Sequence, residues 1–93
     1  MKNGMYTSTA GIIRYYKNDM LHRSDGPALI QPTGEESWFL LGLRHREDGP
    51  AIYSSDGKFK SYYVHGRCHR KDGPALIASN NKTLIYNDNR LCY

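Results

Sequence analysis

Three stretches decide the fold of this chain: His22-Arg23-Ser24-Asp25-Gly26-Pro27-Ala28-Leu29-Ile30, His45-Arg46-Glu47-Asp48-Gly49-Pro50-Ala51-Ile52 and His69-Arg70-Lys71-Asp72-Gly73-Pro74-Ala75-Leu76-Ile77. They share the pattern H-R-x-D-G-P-A-[LI], and their histidines stand 23 and 24 residues apart. A fixed period of this kind marks a repeat protein, in which each unit buries its apolar face against a neighbour. Six positions ahead of each His lies an aromatic residue, Tyr16, Phe39 or Tyr63, preceded in turn by Tyr15, Trp38 or Tyr62. The repeating unit is therefore longer than its signature. A degraded fourth copy starts at Ile85-Tyr86 and carries Cys92 at the His position, and residues 1 to 13 read as an atypical opening strand.

Within each unit the aromatic pair predicts one strand and the Ala-Leu-Ile run a second, because aromatic and β-branched side chains suit a pleated, half-buried surface. Turn formers separate them. Asn18-Asp19, Gly42 and Gly66 tolerate positive φ, and Asp-Gly-Pro redirects the chain, with Pro expected at a strand's first residue where it costs no ladder bond. Asp25, Asp48 and Asp72 are expected to accept backbone N–H bonds in these turns, and the His and Arg before them to stack on their counterparts in the next unit. The links Gln31-Pro32-Thr33-Gly34, Ser54-Ser55-Asp56-Gly57 and Ser79-Asn80-Asn81 are tight turns as well. Successive hairpins should then continue as an antiparallel meander. The fold class predicted is all-β, with tandem β-hairpin repeats, little or no helix, and residues 1–93 forming one domain.

With these motifs the sequence resembles the hairpin-repeat group that includes MORN repeats and MORN-like antitoxin-type proteins, whose units of about 23 residues stack into a twisted sheet. The likeness covers residues 15 to 93 and rests on the aromatic strand, Gly42 and Gly66, and His22, His45 and His69. Where the standard motif has His-Gly followed by Gly, this chain has His-Arg-x-Asp-Gly-Pro-Ala, which is similar to tandem repeat proteins of bacteriophage and bacterial genomes. The resemblance implies a non-enzymatic binding scaffold. It points to an inhibitor or antitoxin-like protein whose partner is a toxin or defence factor.

Composition bounds the rest. Leu, Ile, Val and Phe number only 17 of 93 residues, so the eight tyrosines have to supply much of the packing surface. No run approaches the roughly 18 apolar residues of a membrane helix, and the N-terminus has no apolar secretory stretch, so a cytoplasmic protein without membrane partners is expected. Cys68 and Cys92 are too few for a disulfide framework, and reduced thiols are the expectation in such a compartment.

Three copies of His, Arg and Asp do not make three active sites, because a catalytic centre needs groups in different roles and nothing singles out one copy. His22, His45, His65, His69 and the two thiols have no paired spacing that completes four zinc ligands. No catalytic residue, cofactor or metal is assigned. Charge carries more information. The net +4 is unevenly spread: residues 58 to 93 hold seven Lys/Arg against two Asp/Glu, and residues 1 to 57 hold six against seven. Cations interleaved with aromatic rings suit an anionic partner, so Lys58, Lys60, Tyr62, Arg67, Arg70 and Lys71 are the candidate contact residues, for a protein partner or alternatively for RNA or DNA. In Lys58-Phe59-Lys60-Ser61-Tyr62-Tyr63, strand alternation puts Lys58, Lys60 and Tyr62 on one face and Phe59 with Tyr63 on the other. A meander also leaves two edge strands, near residues 2 to 8 and 83 to 93, that could pair with a second copy.

Overall fold

A computed structural model of the chain describes residues 1–70 and 73–78, and the backbone of 83–85. No described residue is helical. The strands are β1 (Gly4–Thr7), β2 (Ile13–Lys17), β3 (Met20–Leu21), β4 (Leu29–Ile30), β5 (Glu36–Ser37), β6 (Phe39–Leu40), β7 (Leu43–Arg44), β8 (Ile52–Tyr53), β9 (Lys60–Ser61), β10 (Tyr63–Val64), β11 (Arg67–Cys68), β12 (Leu76–Ala78) and β13 (Thr83–Ile85). The main sheet runs β1-β2-β4-β5-β8-β9-β12-β13, with every pairing antiparallel. This is the meander of tandem hairpins expected from the repeat.

The unit holds one more feature than the sequence predicts. Its aromatic strand serves two sheets: β5 lies in the main sheet between β4 and β8, whereas β6 pairs with the short return strand β7. In the first unit a single strand, β2, does both, pairing with β4 through Ile13 and Arg14 and with β3 through Tyr16 and Lys17. The pivot is the first aromatic of the pair. The N–H groups of Tyr15, Trp38 and Tyr62 donate to Ala28, Ala51 and Ala75 at 2.8, 2.6 and 2.7 Å, and their carbonyls accept from the N–H groups of His22, His45 and His69 at 2.9, 3.1 and 2.9 Å. Each hairpin thus contains a smaller one, because the aromatic strand is longer than its Ala-Leu-Ile partner and its surplus has to pair elsewhere.

The smaller hairpins turn where positive φ was expected. Asn18 and Asp19 have φ of 50° and 66°, Leu41 and Gly42 of 48° and 82°, and His65 and Gly66 of 50° and 79°. Two successive left-handed residues give the turn whose twist matches that of paired strands. The prolines differ from expectation: Pro27, Pro50 and Pro74 occupy equivalent places, but each precedes its strand by two residues. The intervening alanines already bond outside the ladders, Ala28 N–H to Ser37 O and Ala51 N–H to Ser61 O, both at 2.9 Å.

The link at 54–57 is closed by side chains. The Ser54 hydroxyl donates to the Asp56 carboxylate at 2.6 Å, which also accepts from Lys58 N–H at 3.0 Å, and these bonds hold the Asp56 carboxyl below the usual carboxylate range. The third link, Ser79-Asn80-Asn81, lies outside the described residues.

The core is small, as the scarcity of aliphatic residues requires. Ala28, Ala51 and Ala75 are fully buried at one position of the repeat. Ala51, Ile52, Tyr63, Cys68 and Ala75 form one cluster, with Trp38 and Phe59 packed against it. Cys68 is disulfide-bonded, contrary to the expected free thiol, and the chain's other cysteine, Cys92, lies outside the described residues. Ser61, opposite both Ile52 and Leu76, is fully buried, and its hydroxyl has no hydrogen-bond partner among the described residues. Ser61→Ala is therefore expected to raise stability by about 1 kcal/mol, since an orphaned buried hydroxyl carries a desolvation cost without return. Thermal or urea unfolding of the variant checks this, and a lower midpoint contradicts it.

The opening residues cap the stack. Asp19 N–H donates to Lys2 O at 3.0 Å, as Gly42 N–H does to Leu21 O and Gly66 N–H to Arg44 O in the later units. Asn18 N–H donates to the Asn3 side-chain oxygen at 3.0 Å. β1 forms one exposed edge of the sheet, and the Tyr6 ring meets Tyr16 edge-on with centroids 5.4 Å apart. Among the described residues no helix is long and apolar enough to cross a membrane.

Candidate interaction surface at the signature loops

The signature closes a latch on the aromatic pivot. Arg46 places its guanidinium carbon 3.9 Å from the centroid of the Trp38 ring, and Arg23 and Arg70 do the same over Tyr15 and Tyr62, both at 4.1 Å. Each arginine lies eight residues after its ring, within its own unit. Nη1 donates to the carbonyl of Pro27, Pro50 or Pro74 at 3.2, 3.1 and 3.3 Å, and Nε of Arg23 and Arg46 donates to Asp25 and Asp48 at 3.1 and 3.0 Å. Asp25 and Asp48 therefore orient a guanidinium and, among the described residues, accept no turn N–H group, while Arg23 and Arg46 stack within their own unit and not on the next; Asp72 lies outside the described residues. The glycine has a steric reason: a Cβ at Gly26 or Gly49 would stand 2.8 or 2.9 Å from the guanidinium carbon of the latch.

The histidines act between units. His22 Nδ1 accepts from Leu41 N–H, and His45 Nδ1 accepts from His65 N–H, both at 2.9 Å, so each imidazole secures the tip of the following small hairpin. An acceptor at Nδ1 leaves the ring proton on Nε2. In His45 that nitrogen faces Glu47 at 3.1 Å, and the buried ring also lies against His65 with centroids 4.5 Å apart. At the N-terminus Asn3 performs the same service for the first tip with an amide oxygen.

Grooves open between successive loops. One of about 220 Å³ is bordered by Arg23, Ser24 and Leu40 on one side and Glu47 and Asp48 on the other. The equivalent groove one unit on holds about 610 Å³ and is bordered by Arg46, Glu47, Tyr62, His65, His69 and Arg70. A third, of about 430 Å³, lies among Val64, His65, Arg67 and His69. Comparison with protein-family models, with characterised proteins and with solved structures finds no match for the chain. Among the described residues no three of His, Cys, Asp and Glu are placed to hold a metal ion.

The residues proposed from charge are divided by the fold. Tyr62, Arg67 and Arg70 border the grooves, with the Arg70 guanidinium covering one face of the Tyr62 ring. Lys58 is exposed beside the 54–57 turn and Lys60 is half-buried on β9, toward the opposite end of the strands from the signature loops; neither borders these grooves. Lys71 lies outside the described residues. Sequence reading passed over two groups. One is Leu41 with Leu43, both about half exposed at a hairpin tip, for which the only signal was an apolar residue at a turn position. The other is Tyr53, whose hydroxyl donates to the Glu36 carboxylate across the β5–β8 pair, so that burial first and this carboxylate second raise its pKa above the ordinary tyrosine value.

Because the folded state favours protonated Tyr53, the stability it contributes is complete below the ordinary tyrosine pKa of about 10 and falls away as pH rises through the higher folded value. Ultraviolet titration should show a phenol component ionising above the ordinary tyrosine value, and Tyr53→Phe should remove it. Its persistence in the variant would assign the shift elsewhere.

Proposed function

We propose that this chain is a non-enzymatic protein-binding module that presents the signature-loop surface to a partner. One observation carries the reading. In each described signature the arginine is occupied with a ring and a proline carbonyl, and in the first two units the histidine secures a backbone N–H, so these residues set out a rigid surface with grooves at the repeat spacing. Rigid surfaces bind with little ordering cost. The resemblance to antitoxin-type hairpin repeats supports placing the partner among toxins or defence proteins. The alternative, RNA or DNA binding through the basic end, draws on Arg67, Arg70 and the histidines beside them, with one face of Tyr62 already taken up by a guanidinium.

Affinity purification of the tagged full chain from its native cells, with and without nuclease, tests the reading. A stoichiometric protein that survives nuclease and high salt, and that Ser24→Trp in the smaller groove displaces, is the expected result. Co-purifying nucleic acid released by salt, and weakened by Arg67→Glu, would replace it with the alternative.

A further inference from the structure

The tips of the three small hairpins stand side by side. Backbone bonds from Gly42 to Leu21 and from Gly66 to Arg44 join each tip to the one before it. One position of the turn is held by Asn18, Leu41 and His65 in successive units, all with positive φ. Asparagine tolerates that conformation because of its short polar side chain, and leucine does not. A leucine held there and half exposed serves neither the turn nor the core. Two residues on, the equivalent positions are Met20, Leu43 and Arg67, with Met20 beside Gly42 and Leu43 beside Gly66. All three are exposed. The ledge thus runs from Met20 at the first tip through Leu41 and Leu43 at the second to cationic Arg67 at the third.

We propose that this ledge docks an acidic segment of a partner protein, with an apolar side chain over Leu41 and Leu43 and a carboxylate beside Arg67 and His65. The inference rests on the protein-binding reading above and specifies its partner's chemistry. Complementary charge decides the occupant: Arg67 is exposed on the ledge, while Arg44, next to Leu43 in β7, turns to the other face over the Phe39 and Tyr63 rings, and the carboxylate at the first tip, Asp19, is engaged by the Lys2 backbone N–H. The spacing follows from sheet geometry. Two strands separate one tip from the next, about 10 Å, and an extended chain covers that distance in about three residues.

Panning a random linear dodecapeptide library on the immobilised full chain tests the proposal, with a labelled poly(U) RNA as the parallel probe. Selected peptides should carry a large apolar residue and, about three positions away, Asp or Glu. Leu41→Asn should weaken those peptides at least tenfold while leaving the melting temperature unchanged or higher, which separates lost contact from lost folding. Arg67→Glu should abolish the preference for acidic residues. Peptides insensitive to both changes but displaced by Ser24→Trp would overturn the ledge and keep the protein-binding reading. Enrichment of basic peptides would overturn the acidic partner. No enrichment, together with poly(U) retention that Arg67→Glu weakens and Leu41→Asn does not, would overturn both readings.

Discussion

Arg46→Ala is expected to lower the unfolding free energy by about 2–3 kcal/mol, combining a desolvated cation–π contact with a charged hydrogen bond. The guanidinium lies on Trp38 and bonds the Pro50 carbonyl in the central unit. For a domain of this size each kcal/mol moves the midpoint by roughly 4–8 °C, so the shift should be plain in a thermal scan. Arg46→Lys should recover little, since an ammonium cannot lie flat on the ring while donating from a fixed fork. Asp48→Ala should cost less than about 1 kcal/mol, because its carboxylate is 82% exposed and the ion pair is screened. That is smaller than a turn acceptor would have cost. Gly49→Ala should cost about 1–2 kcal/mol in the native background by displacing the guanidinium, and almost nothing once Arg46 is alanine. Additive losses from Arg46 and Gly49 would show that the glycine does not act through the latch.

His45→Ala should be at least as damaging, at about 2–4 kcal/mol. The ring is 5% exposed, so its removal leaves a cavity and also strips the acceptor from His65 N–H at the next tip. The two losses can be read apart by hydrogen exchange. The His65 amide should exchange much faster in the variant, whereas the amide of Trp38, bonded to Ala51 at the base of the hairpin, should follow global stability alone. Unchanged protection at His65 would mean that the tip holds itself without the imidazole. His22→Ala, with a half-buried ring and Leu41 N–H as its donor, should show the same pattern with a smaller loss.

The order of strands, the antiparallel meander and the places of the turns follow from the repeat and from local backbone chemistry. A 23–24-residue period with one aromatic run and one Ala-[LI] run admits few other arrangements, and Asn18-Asp19, Gly42 and Gly66 mark the positive-φ corners because few other residues tolerate that conformation. Tertiary structure decided what each signature residue does. That Arg46 meets Trp38 depends on the aromatic strand passing from one sheet to another at that residue, and that His45 serves His65 depends on how far the next hairpin leans over the first. Neither is a property of a segment alone. The division of the basic end has the same origin: Lys58 and Arg67 are nine positions apart in the chain, but one follows the linking turn and the other a hairpin tip, and strand direction sends those to different ends of the sheet. Local propensity acts over a few residues of one chain segment, whereas burial, stacking and the exposure of Leu41 arise from units packed side by side, so only their packing could determine them.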